Sequence, residues 1–190
     1  AKVDPQWVYA AEASKVDLTF KISPGPAYTI GQIMIRGNRN TQDRVIRREL
    51  RVYPGEPYDA PAAARAEQRL DETMLFTESR ITPLPAEGDV RDMLVEVEEA
   101  DTTTLLLGFG VTSNSGVLGN ISIENRNFDL SNPPRSWSDF FRNRALKGAG
   151  QRMKFQFEPG TEMTRGRIDF REPYLMDRPV SLGVGVYIFQ

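Results

Sequence analysis

Beyond about residue 101 the chain alternates apolar and polar side chains, segment after segment. In Met153-Lys154-Phe155-Gln156-Phe157-Glu158 and in Arg165-Gly166-Arg167-Ile168-Asp169-Phe170-Arg171, Met, Phe and Ile fall on one side. Lys, Gln, Glu, Arg and Asp fall on the other. A period of two is the signature of a β-strand. The alternation predicts strands at Thr103–Thr112, Val117–Asn125, Arg152–Glu158, Thr164–Arg171 and Val180–Phe189, with tight turns at Asn114-Ser115-Gly116 and Pro159-Gly160. A charged face opposite a purely apolar one is the pattern of a membrane barrel wall, lipid outside and water inside. The exception is the long stretch Phe128–Gly150.

Before residue 101 the pattern is that of a small α/β module. Gln6–Ala10 and Val16–Ile22 read as a hairpin stopped by Ser23-Pro24-Gly25-Pro26. Tyr28–Arg36 reads as a strand ending at Gly37-Asn38. Asn40 or Thr41 is the expected cap of a helix to about Leu50, with Val45, Ile46 and Leu50 at helical spacing. Pro54-Gly55 breaks it, and Asp59 is placed to cap a second helix over Ala62–Leu75. Strands follow at Glu78–Leu84 and Arg91–Glu98, giving the order β-α-α-β-β. Val16–Ile22 echoes Arg91–Val97, which suggests tandem modules with the first one cut short.

Composition narrows the function classes. Hydrophobic residues make up 39% and charged residues 26%, too balanced for disorder and too polar for a helical membrane protein. The net charge is −2, negative over residues 1–100 and slightly positive over 101–190, so nucleic acid is not an expected partner. With Cys 0 and His 0, disulfides, thiolate nucleophiles, the usual general base and the usual transition-metal ligands are all excluded. Gly108-Phe109-Gly110 and Gly183-Val184-Gly185 lie inside predicted strands and are not nucleotide loops. The acidic run Glu96, Glu98, Glu99 and Asp101 reads as a solvated strand end rather than a calcium site. No catalytic constellation, metal site or cofactor site is read, and the chain is not expected to be an enzyme. Ala1-Lys2-Val3-Asp4-Pro5 has no apolar leader, and Gln190 falls inside an apolar strand. The chain reads as part of something larger.

Two segments carry a family resemblance. One is Ser23-Pro24-Gly25-Pro26-Ala27-Tyr28-Thr29-Ile30-Gly31-Gln32-Ile33 with Gly37-Asn38. The other is Arg171-Glu172-Pro173-Tyr174-Leu175 with Val180-Ser181-Leu182-Gly183. Together they resemble the BamA family of outer-membrane barrel-assembly proteins. The first is similar to a junction between polypeptide-transport-associated (POTRA) modules, the second to an early barrel strand pair with its periplasmic turn. The resemblance implies an α+β POTRA module (β-α-α-β-β) followed by antiparallel strands of an incomplete transmembrane β-barrel. Residues 1–25 would be the C-terminal hairpin of a preceding module, 26–101 a POTRA module, and 102–190 the first barrel strands with an insertion at 129–147. The family barrel has about sixteen strands; about five are reached here, so the wall cannot close.

The resemblance also implies a function: assembly and insertion of β-barrel proteins into the bacterial outer membrane. The module would lie in the periplasm. Partners would be unfolded outer-membrane clients, outer-membrane lipid and periplasmic accessory lipoproteins. Clients would be captured on POTRA sheet edges and templated at the first barrel strand, where Leu105, Leu106, Leu107, Gly108 and Phe109 form either a lateral gate or an ordinary wall strand. Ile30, Ile33, Ile35, Met93, Val95 and Val97 are expected core under two helices. Arg152, Lys154, Arg165, Arg167 and Arg171, with Glu124, Glu158 and Asp169, are expected to line a wet lumen as a solvated wall, or more sharply a selective pore. Ser136–Leu146 reads as a short amphipathic helix with Trp137, Phe140 and Phe141 on one face, for the membrane interface or a partner, or else as a loop packed on the rim. Two other function classes are kept: a two-partner-secretion-type polypeptide translocator, and a soluble β-rich interaction protein whose apolar face is covered by a second sheet.

Overall fold

The computed structural model describes residues 2–9, 16–23, 27–85, 88–112, 116–134, 136 and 145–190. Among them, strands β1 (Lys2–Tyr9) and β2 (Val16–Ser23) form an antiparallel hairpin. Its register sets Val3 opposite Ile22, Pro5 opposite Phe20 and Trp7 opposite Leu18. Those residues share one face, and Val3, Trp7, Leu18, Phe20 and Ile22 are all exposed on it.

A second unit runs β3 (Thr29–Arg36), α1 (Asp43–Leu50), α2 (Ala60–Glu72), β4 (Phe76–Pro83) and β5 (Val90–Glu99). The sheet order is β3-β5-β4, with β3 parallel and β4 antiparallel to the central β5. The parallel pairing is made possible by the two-helix crossover between β3 and the β4–β5 pair. Ile30, Ile33, Met93, Val95 and Val97 point under the helices and are buried, while Ile35 packs at the edge of the same cluster. They meet Val45, Ile46 and Leu50 of α1 and the narrow stripe Ala63, Ala66, Leu70 of α2. Small residues on α2 let that helix lie close to its neighbours. Ile46, Leu50, Leu70, Met93 and Val95 are fully buried; each contributes about 1.5–3 kcal/mol through apolar burial.

The helix starts depart from expectation. The cap of α1 is Gln42, not Asn40 or Thr41, and its side chain makes no cap hydrogen bond. Its amide Nε2 donates instead to Asp129 Oδ2, at 2.7 Å. Asp59 does occupy the α2 cap position, but its carboxylate faces Arg65 at 3.4 Å rather than the helix amides. Pro61 in the first turn, whose missing N–H would have had no helical partner, supports the start of α2.

The third unit is an antiparallel sheet of β6 (Thr103–Thr112), β7 (Gly116–Phe128), β8 (Gln151–Glu158), β9 (Arg165–Glu172) and β10 (Leu182–Phe189), in the order β10-β9-β8-β7-β6. It is open, with β6 and β10 at its two edges. Register aligns Leu105, Ile123, Phe155, Ile168 and Val186 in one row. The next row on the same face is Leu107, Ile121, Phe157, Gly166 and Ile188. The opposite face aligns Glu124, Lys154 and Asp169, then Gln156 with Arg167, then Glu158 with Arg165. All eight charged positions expected on the wet face lie there. The apolar face is exposed at every row, with no second sheet over it among the described residues.

Candidate functional site: the edge strand and the module–wall junction

Strand β6 starts four residues after β5 ends, so the sheet edge begins directly at the module. Among the described residues β6 pairs with β7 alone, through ten register pairs from Thr103↔Asn125 to Thr112↔Gly116. Leu105, Leu107 and Phe109 project on the apolar face, and Phe109 is 95% exposed. Leu106 and Gly108 project on the polar face, so the five expected gate residues divide between two environments. The wet side of β6 is thin, because Gly108 and Gly110 offer no side chain. A strand with interior glycines packs weakly on its neighbour, and an edge strand leaves a row of N–H and C=O groups without a ladder partner.

The module's own edges are less available. Along β4, the Ile81 N–H donates to Glu67 Oε1 at 2.6 Å, and Pro83 has no N–H to offer. Along β3, the loop around residues 55–58 already pairs with its start: Ile30 N–H donates to the Glu56 carbonyl at 2.8 Å, and Gly55 N–H to the Ile30 carbonyl at 2.7 Å. Stacking of Tyr28 on Tyr58, with centroids 4.9 Å apart, holds that loop in place.

Module and wall are joined by a polar interface that the periodicity of the sequence did not reveal. Its first part lies at the start of α1. Buried Asn127 donates from Nδ2 to Thr41 Oγ1 at 2.9 Å and accepts the Gly150 N–H on Oδ1 at 3.0 Å. The Gln42 N–H donates to the Gly148 carbonyl at 2.9 Å. Gly148 has φ +120°, and a Cβ there would run into the Asn40 carbonyl oxygen. Both ends of the connection between β7 and β8 therefore sit against the module. Within that connection Asp129 N–H donates to the Leu146 carbonyl at 2.9 Å, folding it back on itself.

The expected helix over Ser136–Leu146 falls mainly outside the described residues, as do Trp137, Phe140 and Phe141. At its described end it is not helical: Leu146 has φ 58°.

Glu99, read as part of a solvated strand end, has a specific role. Its carboxylate accepts the Asn40 N–H at 2.9 Å, the Thr41 N–H at 2.6 Å and Asn40 Nδ2 at 2.7 Å. Burial alone raises its pKa, but the donors of Thr41 and Asn40 outweigh burial, and the carboxyl titrates below its ordinary value. The carboxylate thus ties the last strand of the module to the loop that leads into α1.

The second part of the interface lies at the end of α1. Tyr174, in the turn between β9 and β10, donates its hydroxyl to Glu49 Oε2 at 3.1 Å. The Arg48 guanidinium carbon lies 4.3 Å from the Tyr174 ring centroid. Burial pushes Arg48 below the ordinary guanidinium pKa, against the opposing pull of Glu49 and Glu172. Glu172 in turn accepts from Gln151 Nε2 at 2.8 Å and from the Tyr174 N–H at 2.9 Å.

With this geometry in view, the likenesses to known proteins are specific. Residues 28–100 match the POTRA family model, described as surface antigen variable number repeat. The chain is 27% identical over 179 residues to the outer membrane protein assembly factor BamA of Neisseria meningitidis, covering 93% of this chain and 20% of that protein. It is 35% identical over 118 residues to BamA of Neorickettsia risticii, covering 62% of this chain and 16% of that protein. The crystal structure of Haemophilus ducreyi BamA lacking POTRA domains 1–3 superposes with a TM-score of 0.76 at 24% identity, over 99% of this chain and 32% of that one. The chain thus spans about a fifth or less of the length of these curated relatives. A β-α-α-β-β POTRA module running directly into an unclosed antiparallel wall is the fold shared with that crystal structure, and across this arrangement the chain is similar to BamA proteins.

Proposed function

We propose that the protein containing this chain assembles and inserts other β-barrel proteins into the bacterial outer membrane, and that β6 is the strand on which an incoming client strand is templated. The observation that carries the reading is β6 itself: ten residues long, apolar toward the lipid side, and thinned on its other face by Gly108 and Gly110, so that it packs weakly on a neighbour. In hydrocarbon each unpaired backbone group is costly, so a client strand that completes the ladder is strongly favoured. Apolar burial of the client's outer face adds to the driving force, and no nucleotide or metal is needed.

Capture on the POTRA sheet edges is the weaker half of the mechanism, because β4 is blunted by Glu67 and Pro83 and β3 is partly covered by residues 55–58. The module's task is then to deliver clients at the base of β6 from the periplasm, alongside accessory lipoproteins. The exposed apolar face of the β1–β2 hairpin supports the reading of residues 1–25 as the end of a preceding module, whose helices would cover it. Residues 26–101 then form one POTRA module, and residues 102–190 begin the barrel. The 129–147 insertion, with Trp137, Phe140 and Phe141, is proposed to anchor the periplasmic rim at the membrane interface or to hold an accessory protein.

The test uses the full-length protein in liposomes. It should accelerate conversion of an unfolded outer-membrane barrel to a protease-resistant form, and a disulfide locking β6 to its closing strand should abolish the acceleration. Full activity in the locked protein would refute templating at β6.

A further inference from the structure

Outside β6, the feature with the most unassigned chemistry is the turn between β9 and β10. Tyr174 leaves the wall and sets its ring against Arg48 and its hydroxyl on Glu49. Both partners belong to the last turn of α1, and both are nearly shielded from solvent, with side chains 11% exposed. Arg48 Nε lies 3.9 Å from Glu49 Oε1, beyond hydrogen-bond reach, and has no hydrogen-bond acceptor. The Tyr174 ring therefore acts beside the Glu49 and Glu172 carboxylates in holding the Arg48 guanidinium. A cation over an aromatic face gains strength as water is excluded.

The turn is itself braced. Glu172 holds the Tyr174 backbone N–H and Gln151 at the base of β8, so Tyr174 is fixed relative to two wall strands. Apart from Arg126 Nη1 on Met74 Sδ at 3.2 Å beyond α2, the other module–wall contact, of Thr41 and Gln42 with Asn127, Asp129 and Gly148, lies at the opposite end of α1. An eight-residue helix puts these two contacts roughly 12 Å apart. A body held at one contact can pivot about it; a second contact one helix length away removes that freedom.

We infer that Tyr174 is a positioning residue: it latches α1 to the turn between β9 and β10 and so fixes the angle of the POTRA module against the barrel wall. The consequence for client delivery rests on the assembly reading above; the latch itself does not. With the latch open, the module stays attached through Asn127, Thr41, the Arg126–Met74 contact and the short linker Ala100–Thr102, and pivots there.

The experiment is a distance measurement by double electron–electron resonance on the full-length protein in nanodiscs. Spin labels go on Ala64→Cys in α2 and Glu162→Cys beyond the far end of β8, both exposed positions. The otherwise unmodified protein should give one narrow distribution. Tyr174→Ala should broaden it with a second population. Tyr174→Phe keeps the ring over Arg48 and loses the hydroxyl on Glu49; the latched-to-open ratio should fall by about tenfold, as for loss of a hydrogen bond to a charged group. Arg48→Ala breaks the same contact from the module side and should reproduce the Tyr174→Ala distribution, which covers the case in which Tyr174→Ala fails to fold. Distributions for Tyr174→Ala or Arg48→Ala that overlay the parent's would overturn the inference. The readout is a distance, so this result stands apart from any loss or retention of assembly activity.

Discussion

Glu99→Gln is the sharpest test of how the module is tied to its own α1 loop. The Glu99 carboxylate receives three donors from Asn40 and Thr41, at 2.6–2.9 Å for the shortest contact of each. Glutamine keeps one carbonyl acceptor but turns an NH2 group toward a donor and loses the charge. Hydrogen bonds to a charged group are worth about 1.5–3 kcal/mol, and the exposed setting of Asn40 places the loss near the lower end, about 1.5–2 kcal/mol. The apolar cluster that surrounds α1 and α2 lies wholly within residues 30–97, so a soluble fragment of residues 27–101 is a suitable host. With a urea m-value of about 1–1.5 kcal/mol/M for a domain of this size, the midpoint should fall by about 1–2 M at about pH 7.

The pH dependence gives a second arm. The folded-state pKa of Glu99 is depressed, so its contribution is fully present above the unfolded value of about 4.3. It is lost as the pH falls through the folded value. The gap between parent and Glu99→Gln should therefore close as the pH falls below the unfolded value and on through the depressed folded value, where the parent carboxyl also becomes neutral. Coincident midpoints at neutral pH, or a gap of unchanged size in acid, would refute the assignment.

Other expectations concern the junction and the wall. Asn127→Ala removes the acceptor of the buried Gly150 N–H and should speed hydrogen exchange at Gly150 by at least about tenfold; unchanged protection would count against the junction. Gly148→Ala drives a Cβ into the Asn40 carbonyl, whereas Gly55→Ala, at φ +88°, meets nothing within 4 Å. The first should lower the thermal midpoint clearly more than the second, which carries only the positive-φ cost of about 1 kcal/mol; equal shifts would show that the junction tolerates the intrusion. Residues 102–190 alone expose an apolar face and two strand edges. Without detergent they should self-associate in sedimentation velocity, and a stable monomer would contradict the wall assignment.

Where the sequence was legible, short-range periodicity carried the information. Thr103–Thr112 was read to the residue, because Leu105, Leu107, Phe109 and Val111 recur at a period of two and neighbouring turns punctuate them. The apolar positions of β3, β5 and α1 were legible for the same reason. What stayed hidden was contact between residues far apart in sequence. Glu99 resembles any acidic strand end until the fold brings Asn40 and Thr41 to it. Gln42 gives no cap signal, since its side chain is drawn to Asp129, 87 residues away. Asn127 and Tyr174 lie at strand ends, where alternation has stopped and polar side chains carry no periodic mark. The Glu172-Pro173-Tyr174 motif did point to the turn between β9 and β10, but only the fold shows it resting on Arg48 and Glu49.

The central claim is that an incoming strand adds to the open edge of β6. Because this chain contributes Cys 0, single cysteines introduced along β6 give a clean disulfide background within it. The most direct measurement is a cysteine scan of Thr104–Gly110, with control cysteines in β8 and β9, in the full-length protein against single cysteines in the last strand of a stalled client. The account predicts disulfides at β6 positions in a fixed register, shifting residue for residue as the client cysteine moves. Disulfides that are absent from β6, or equally frequent at β8 and β9, would contradict it.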